Sequence, residues 1–328
     1  MQVLFALAGL HRLSRGAEVA LESVARELAA RGDEVTVAGA GPELPGRAYR
    51  FRHLPAVSRR RFERWPKFPP LRSEYAYEEL TFAAGLALAP WWRGCDVTVT
   101  CGYPFTNWAL RRRLPGGRRP AHVFVTQNGD WPAWSRDGEY RLFSCDGLVC
   151  TNPPYFERNR ERWHATLIPN GIDTSAFRPG PGERAAFGLP AERRVVLMVS
   201  ALIESKRVLE GLRAVARLPE AFLVVAGDGP LREAVDREAA RLLPGRFLRG
   251  TFPHERMPAL YRSADVFLHT AAGESFGNVY VEALASGLPV VAHDDEVTRW
   301  VLERHAGLVD AADERALAAA LQRAAERP

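Results

Sequence analysis

Apolar and polar positions alternate along this chain as strand, helix, strand from its first residues onward. Short apolar runs at residues 3–8, 34–38, 97–100, 123–126 and 148–151 predict strands, and helical spacing of apolar positions over residues 17–30 predicts the first helix. Strands alternating with helices are the signature of βαβ units in a parallel sheet. A stretch rich in proline and glycine, from Pro169-Asn170-Gly171 to Pro179-Gly180-Pro181-Gly182, interrupts the pattern. It restarts with strands at residues 195–200, 222–226, 266–269 and 290–292, and a last helix is expected over residues 314–327. The fold class is therefore α/β: two Rossmann-like, doubly wound parallel-sheet domains, residues 1–168 and 169–328, facing a central cleft at the carboxyl ends of their strands.

Length and composition fit this picture. At 328 residues the chain is long for one core, and 47% hydrophobic with 25% charged residues places it among globular proteins rather than disordered or fibrous ones. The opening Met1-Gln2-Val3-Leu4-Phe5-Ala6-Leu7-Ala8 lacks a basic lead and turns polar at His11-Arg12, and no run approaches the roughly 18 apolar residues of a membrane span. It reads as a first strand, not a signal peptide. Cys95, Cys101, Cys145 and Cys150 match neither a CxxC pair nor a zinc site and are few for a disulfide scaffold, which points to a cytoplasmic setting.

Charge changes the picture locally. The net charge of +5 is mild, but residues 47–72 hold Arg47, Arg50, Arg52, Arg59, Arg60, Arg61, Arg64, Lys67 and Arg72 against Glu63 alone, with Phe51, Phe62, Trp65 and Phe68 interleaved. Such a segment suits an anionic acceptor or peripheral contact with an anionic membrane at its inner face, and equally a solvated loop whose aromatics fold into the domain. No nucleic-acid recognition module accompanies it, so nucleic acid is not expected as a partner.

The densest chemistry lies in Ala272-Gly273-Glu274-Ser275-Phe276-Gly277-Asn278-Val279-Tyr280-Val281-Glu282, followed by Ala283-Leu284-Ala285-Ser286-Gly287-Leu288-Pro289-Val290-Val291-Ala292. This reads as loop, helix, tight turn and strand, with the helix starting near Gly277. Backbone N–H groups at Phe276, Gly277 and Asn278 would then point out of the helix N-terminus, where the dipole favours an anion such as a diphosphate. Glu282 stands four residues after Asn278, about 6 Å further along the axis on roughly the same face. A carboxylate there can accept both hydroxyls of a ribose, while Glu274 faces the other end of the same ligand.

Glu274 and Glu282, seven residues apart, closely resemble the EX7E motif of retaining glycosyltransferases of family 4, which have the GT-B fold. The likeness extends to Pro169-Asn170-Gly171-Ile172-Asp173, Phe177-Arg178-Pro179, Ala226-Gly227-Asp228-Gly229-Pro230-Leu231, Met257-Pro258-Ala259-Leu260-Tyr261 and Ser263-Ala264-Asp265-Val266. In the first half it rests on Arg15-Gly16-Ala17-Glu18 and Arg31-Gly32-Asp33-Glu34-Val35-Thr36-Val37.

The resemblance implies transfer of a sugar, with retention of configuration, from a nucleoside-diphosphate sugar to a polysaccharide, lipid-linked or small-molecule acceptor, without a cofactor or bound metal. No DxD triplet is present in the sequence, so cationic side chains and helix dipoles are expected to offset the leaving diphosphate. By the same resemblance Glu274 serves the transferred sugar, Lys206 the diphosphate, Gly16 a second helix N-terminus at the diphosphate, and Phe252 the loop holding the nucleobase.

The chain departs from the family pattern in three places. The arginine usual five residues before the lysine is Ala201, for which Arg207 is the candidate replacement. The loop that often carries a histidine reads Gln127-Asn128-Gly129-Asp130-Trp131-Pro132. There Gln127, Asn128 and Asp130 are candidates to bond sugar hydroxyls and Trp131 to stack on a sugar face, with purely structural roles equally open. Many relatives also continue through helices beyond the position of Pro328. A binding protein that holds a nucleotide or sugar without turnover is the alternative reading. A nicotinamide-dependent oxidoreductase is disfavoured, because Gly9-Leu10-His11-Arg12-Leu13-Ser14 follows the first strand in place of GxGxxG.

Overall fold

The computed structural model describes residues 1–88, 91–112, 119–136 and 138–326, residue 139 by its backbone alone. The chain divides into two units, Met1–Asn170 and Gly171–Pro328. In the first unit seven parallel strands form one sheet in the order β3-β2-β1-β4-β5-β6-β7. They are β1 (Gln2–Ala6), β2 (Glu34–Gly39), β3 (Arg50–His53), β4 (Val97–Thr100), β5 (Ala121–Val125), β6 (Gly147–Cys150) and β7 (Ala165–Leu167). Helices α1 (Gly16–Ala30), α2 (Glu74–Leu88), α3 (Phe105–Arg111) and α4 (Pro153–Asn159) connect them.

The most apolar run, β1, lies inside the sheet between β2 and β4, as burial on both faces requires. Val3 and Phe5 of β1 pack with Leu21 and Ala25 of α1, while Leu4 and Ala6 turn to Phe82 and Leu86 of α2 and Leu110 of α3. Successive residues of one strand thus anchor helices on opposite faces, which makes the sheet doubly wound.

The second unit repeats the plan with six strands in the order β10-β9-β8-β11-β12-β13. These are β8 (Arg194–Val199), β9 (Ala221–Ala226), β10 (Phe247–Gly250), β11 (Val266–His269), β12 (Val290–His293) and β13 (Ala306–Val309). Their helices are α5 (Val208–Ala216), α6 (Arg232–Leu242), α7 (Met257–Arg262), α8 (Asn278–Ala285), α9 (Glu296–Leu302) and α10 (Glu314–Ala325). Val196 and Met198 of β8 pack with Leu212, Val235 and Leu321 on one face, and Val195 and Leu197 with Tyr261 and Ala283 on the other. The helix expected over residues 314–327 ends at Ala325, and the last two residues of the chain lie outside the described ones.

The strands that apolar runs did not predict, β3, β7, β10 and β13, are the four sheet edges. An edge strand needs no continuous apolar run, and β3 reads Arg50-Phe51-Arg52-His53, exposed or half-buried throughout. The rest of the basic segment is largely engaged with the first unit. Arg59 pairs with buried Glu78 at 2.6 Å, Lys67 with Glu74 at 2.9 Å and Arg47 with Glu22 at 3.3 Å, while buried Phe62 packs against Trp65 and Tyr77. Trp65 and Phe68 remain exposed.

Glycines let the strand-end loops of the second unit nest. A Cβ on Gly227 would sit 1.8 Å from the carbonyl oxygen of Ser200, and one on Gly229 would sit 2.5 Å from that of Leu202. The closeness allows Leu202 N–H to donate to Asp228 O and Leu231 N–H to Leu202 O, both at 3.0 Å. Gly227→Ala must push two backbones apart, and we expect it to destabilise the protein by roughly 1–3 kcal/mol in urea melts, as overpacking does.

In the first unit Glu79 is fully buried beside Gly102, with Oε1 accepting from Thr106 N at 3.0 Å and no partner for Oε2 among the described residues. Burial pushes its carboxyl up to about 8 against the hydrogen bonds from Thr106 and Phe105. A raised folded-state value means stability that is full below the ordinary carboxyl range and lost as pH rises towards 8. Glu79→Gln keeps the shape of the neutral acid. It should flatten the fall in unfolding free energy between pH 5 and pH 8, a difference on the order of a few kcal/mol in urea melts.

Candidate functional site

Because the strands of the second sheet are parallel, the loops that follow them gather at one edge. The loop after β8 runs into a short 3-10 turn, Glu204–Lys206, and then into Arg207, whose φ of 48° and ψ of 39° are left-handed. That conformation is uncommon for a residue other than glycine. It is held from outside, since Thr270 Oγ1, just past β11, donates to the carbonyls of Lys206 at 3.0 Å and Arg207 at 2.7 Å. Ala272 N–H donates to Ser205 O at 3.1 Å, stitching the two loops further.

The stitching brings three charged or polar side chains together. Lys206 Nζ donates to Glu274 Oε1 at 2.5 Å, and His269 Nε2 meets the same oxygen at 2.7 Å. A carboxylate can only accept, so His269 presents Nε2–H to it. Burial works to raise the Glu274 carboxyl, but the His269 hydrogen bond and the Lys206 charge outweigh it and hold it down at about 2. Glu274 is thus an anion across the physiological range.

The helix that follows begins where the sequence places it. Gly277 caps α8 at φ 80° and ψ 63°, and a Cβ there would lie 2.4 Å from the Tyr280 ring. Only glycine fits such a position without strain. Tyr280 in turn stands edge-on to His269 with ring centroids 5.1 Å apart, so the helix start supports the imidazole that holds Glu274. The Phe276 ring is buried against Trp300 and offers a ligand only its backbone.

Glu282 projects from α8 to the buried Tyr261 of α7, whose hydroxyl donates to Oε2 at 2.7 Å. Burial raises the Glu282 carboxyl, and the Tyr261 hydrogen bond and the charge of His254 oppose the rise. The two glutamates share one design. Each has one oxygen fixed by donors from the protein, and neither Glu274 Oε2 nor Glu282 Oε1 receives a hydrogen bond from the described residues.

The other residues singled out in the second unit sit around this pair. Asn278 opens α8. Arg207 is half-buried between Lys206 and α5, two carbonyls into the loop that Thr270 fixes. Phe252 follows β10 with its ring at 5.7 Å from Phe187 and 3.2 Å from where a Gly250 Cβ would be, so the ring itself is engaged in packing. Ala201 is exposed, with its carbonyl accepting from Ile203 N–H at 3.0 Å.

The first-unit candidates are mostly committed to their own unit. Gly16 opens α1 without a side-chain cap. Gln127 and Asn170 exchange amide hydrogen bonds, and Asn128 Nδ2 lies 3.5 Å from Cys101 O and Sγ. Asp130 is buried and held by Arg158 at 2.7 Å and Asn159 at 2.6 Å. Trp131 stacks with Tyr103 and Tyr140. The structure therefore engages Asp130 and Trp131 in packing of the loop.

His269, Thr270 and Tyr261 are the residues that sequence reading passed over. Tyr261 belongs to a segment quoted for the family likeness without a role, Thr270 lies just past a strand, and His269, polar at the end of an otherwise apolar strand run five residues before Glu274, carried a visible signal.

Known proteins resemble this chain in sequence and in fold. The family model described as "Glycosyl transferases group 1" matches residues 181–328, and "Glycosyltransferase Family 4" matches residues 14–176. The chain is 29% identical over 202 residues to the lipopolysaccharide core biosynthesis glycosyltransferase LpsE of Rhizobium meliloti (strain 1021), a match covering 60% of this chain and 58% of that one. It spans less than two thirds of the length of this and the other first curated relatives. Among solved structures, sucrose-phosphate synthase from Thermosynechococcus elongatus superposes with a TM-score of 0.77 at 22% identity over 98% of this chain and 89% of that one. Anabaena Alr3699/HepE in complex with UDP-glucose gives 0.73 at 18% identity over 99% and 90%. Matched by glycosyltransferase families on either side of its central linker, and folded as these structures are, the chain belongs to the GT-B glycosyltransferases.

Proposed function

We propose that this protein transfers a sugar from a nucleoside-diphosphate sugar to an acceptor hydroxyl with retention of configuration. The observation that carries the reading is the pair of half-committed carboxylates, Glu274 and Glu282, on either side of the N-terminus of α8. Glu282 accepts the ribose hydroxyls through Oε1 and the remaining lone pair of Oε2, the first-turn amides of α8 meet the diphosphate, and Glu274 Oε2 accepts from a hydroxyl of the sugar. The family membership and the likeness to a structure holding UDP-glucose support the same ligand.

In the reaction the bond from the sugar's anomeric carbon to the diphosphate oxygen breaks, and the diphosphate leaves with the electron pair. The acceptor oxygen bonds the same carbon from the same face, and its proton passes to the leaving phosphate. Charge grows on the diphosphate as the bond breaks. In this reading Lys206, a compact cation held by Glu274 and Thr270, offsets it, with Arg207 beside it. No metal is required by this scheme.

Incubation with UDP-, GDP- and ADP-sugars and a mixed set of polysaccharide, lipid-linked and small-molecule acceptors should release nucleoside diphosphate from at least one donor. Glu274→Gln should slow release by about a hundredfold or more, the scale seen when one transition-state contact is removed. Tight nucleotide binding without release from any donor would instead make this a binding protein. Affinity for the nucleoside diphosphate should weaken at acid pH as Glu282 takes up a proton and loses an acceptor. Tyr261→Phe removes the hydrogen bond that opposes the raised carboxyl, so calorimetry between pH 5 and pH 8 should show that weakening begin at higher pH in the variant.

A further inference from the structure

The loop that carries Glu274 has no regular structure of its own between β11 and α8, and Gly273 and Gly277 stand in it at φ 74° and 80°. Glycine leaves such a segment many conformations, so the place of Glu274 has to be imposed from outside the loop. On one side Ala272 N–H donates to Ser205 O, and Lys206 and His269 meet the Glu274 carboxylate. On the other side the loop is held by α9, which carries none of the residues so far placed in the site.

α9 grips the loop before and after Glu274. Asp295 Oδ2 accepts from Gly273 N–H at 3.3 Å, one residue before the glutamate. Two residues after it, the Phe276 ring meets Trp300 edge-on with centroids 6.1 Å apart. Asp295 is itself tightly fixed as the N-cap of α9. Its Oδ1 accepts from Thr298 N–H at 2.8 Å, and Thr298 Oγ1 accepts from Asp295 N–H at 2.9 Å, a reciprocal capping box. Thr298 is fully buried, and its hydroxyl contacts His293 O at 2.7 Å, which ties the cap back to the end of β12.

One carboxylate therefore does two jobs with two oxygens. Capping α9 requires only the first, and serine, threonine or asparagine would serve there as well as aspartate. The second oxygen is what reaches the Glu274 loop. Charge pairing does not account for the aspartate either: the neighbouring Asp294 is bound by Arg299 at 2.6 and 2.9 Å, whereas Asp295 forms no ion pair among the described residues.

We infer that Asp295 is a positioning residue for Glu274, acting through the backbone of Gly273 and touching no substrate itself. The inference rests on the reading of Glu274 as the carboxylate that meets the transferred sugar, and adds to it the device that keeps this carboxylate in place from the side away from Lys206.

Asp295→Asn tests it. Asparagine caps a helix as aspartate does, but with its single oxygen on Thr298 it turns an amide nitrogen, a donor, towards the Gly273 N–H. In hydrogen exchange of the full chain, residues 272–276 should exchange about five- to tenfold faster in the variant, the scale of one lost hydrogen bond to a charged group. Residues 296–302 should exchange as in the parent, and the thermal melts should superimpose. With a donor sugar that the parent consumes, kcat for release of nucleoside diphosphate should fall by about five- to tenfold while donor KM stays within about twofold. Asp294→Asn, the same chemical change one residue earlier, should match the parent in both measurements. Unchanged exchange in the loop would overturn the inference, and so would faster exchange confined to α9, which would leave Asp295 a helix cap only. A raised donor KM with kcat intact would also overturn it, by placing Asp295 in donor binding. A parent that releases no nucleoside diphosphate from any donor would sink the proposed reaction instead, and the exchange comparison would still decide whether Asp295 holds the Glu274 loop.

Discussion

Glu274 Oε1 receives Lys206 and His269 at once, and much of the second unit's strand-end architecture exists to allow it. A half-buried carboxylate left alone would take up a proton rather than stay charged. Two donors converge on one oxygen, the anion persists, and the second oxygen receives no hydrogen bond from the described residues. The donors come from two different elements, the turn after β8 and the end of β11, which is why Thr270 must fix the Lys206 turn and why Tyr280 must stand behind His269. Gly277 follows from that, because any side chain there would collide with Tyr280. The motif glycine is thus needed for packing at the helix N-terminus.

Glu282 obeys a milder version of the same rule. One neutral donor, Tyr261, holds one oxygen, and burial is not fully offset. Its donor is an uncharged hydroxyl, whereas Glu274 faces the ammonium of Lys206. The contrast between the two carboxylates is a difference of environment, set by whether lysine or tyrosine faces them.

Much of this was legible in the sequence. The interior strands announced themselves because burial on both faces demands unbroken apolar runs, and the helix at Gly277 did so through its glycine and the loop before it. Glu274 and Glu282 were singled out by spacing and family likeness and Lys206 by the likeness alone, and the structure brings Lys206 and Glu274 together. Their supports were not singled out: Tyr261 sits in an apolar helix and Thr270 at a strand end, and neither local pattern says which distant atom the hydroxyl will meet. The partners of Asp130 and Trp131 were equally hidden. The loop composition does not say that Asp130 pairs with Arg158 or that Trp131 stacks with Tyr103 and Tyr140.

The edge strands escaped notice because they are short and half-exposed, and β3 carries more than a missing pattern. Its Arg50, Arg52 and His53 stand on the last strand of the first sheet, where unpaired N–H and C=O groups offer a template to any other extended chain. Charge along that border makes addition of a further strand repulsive between like copies. The basic residues that invite thoughts of a ligand can therefore act as gatekeepers against aggregation, protecting a slow-forming parallel sheet while the chain is still being made.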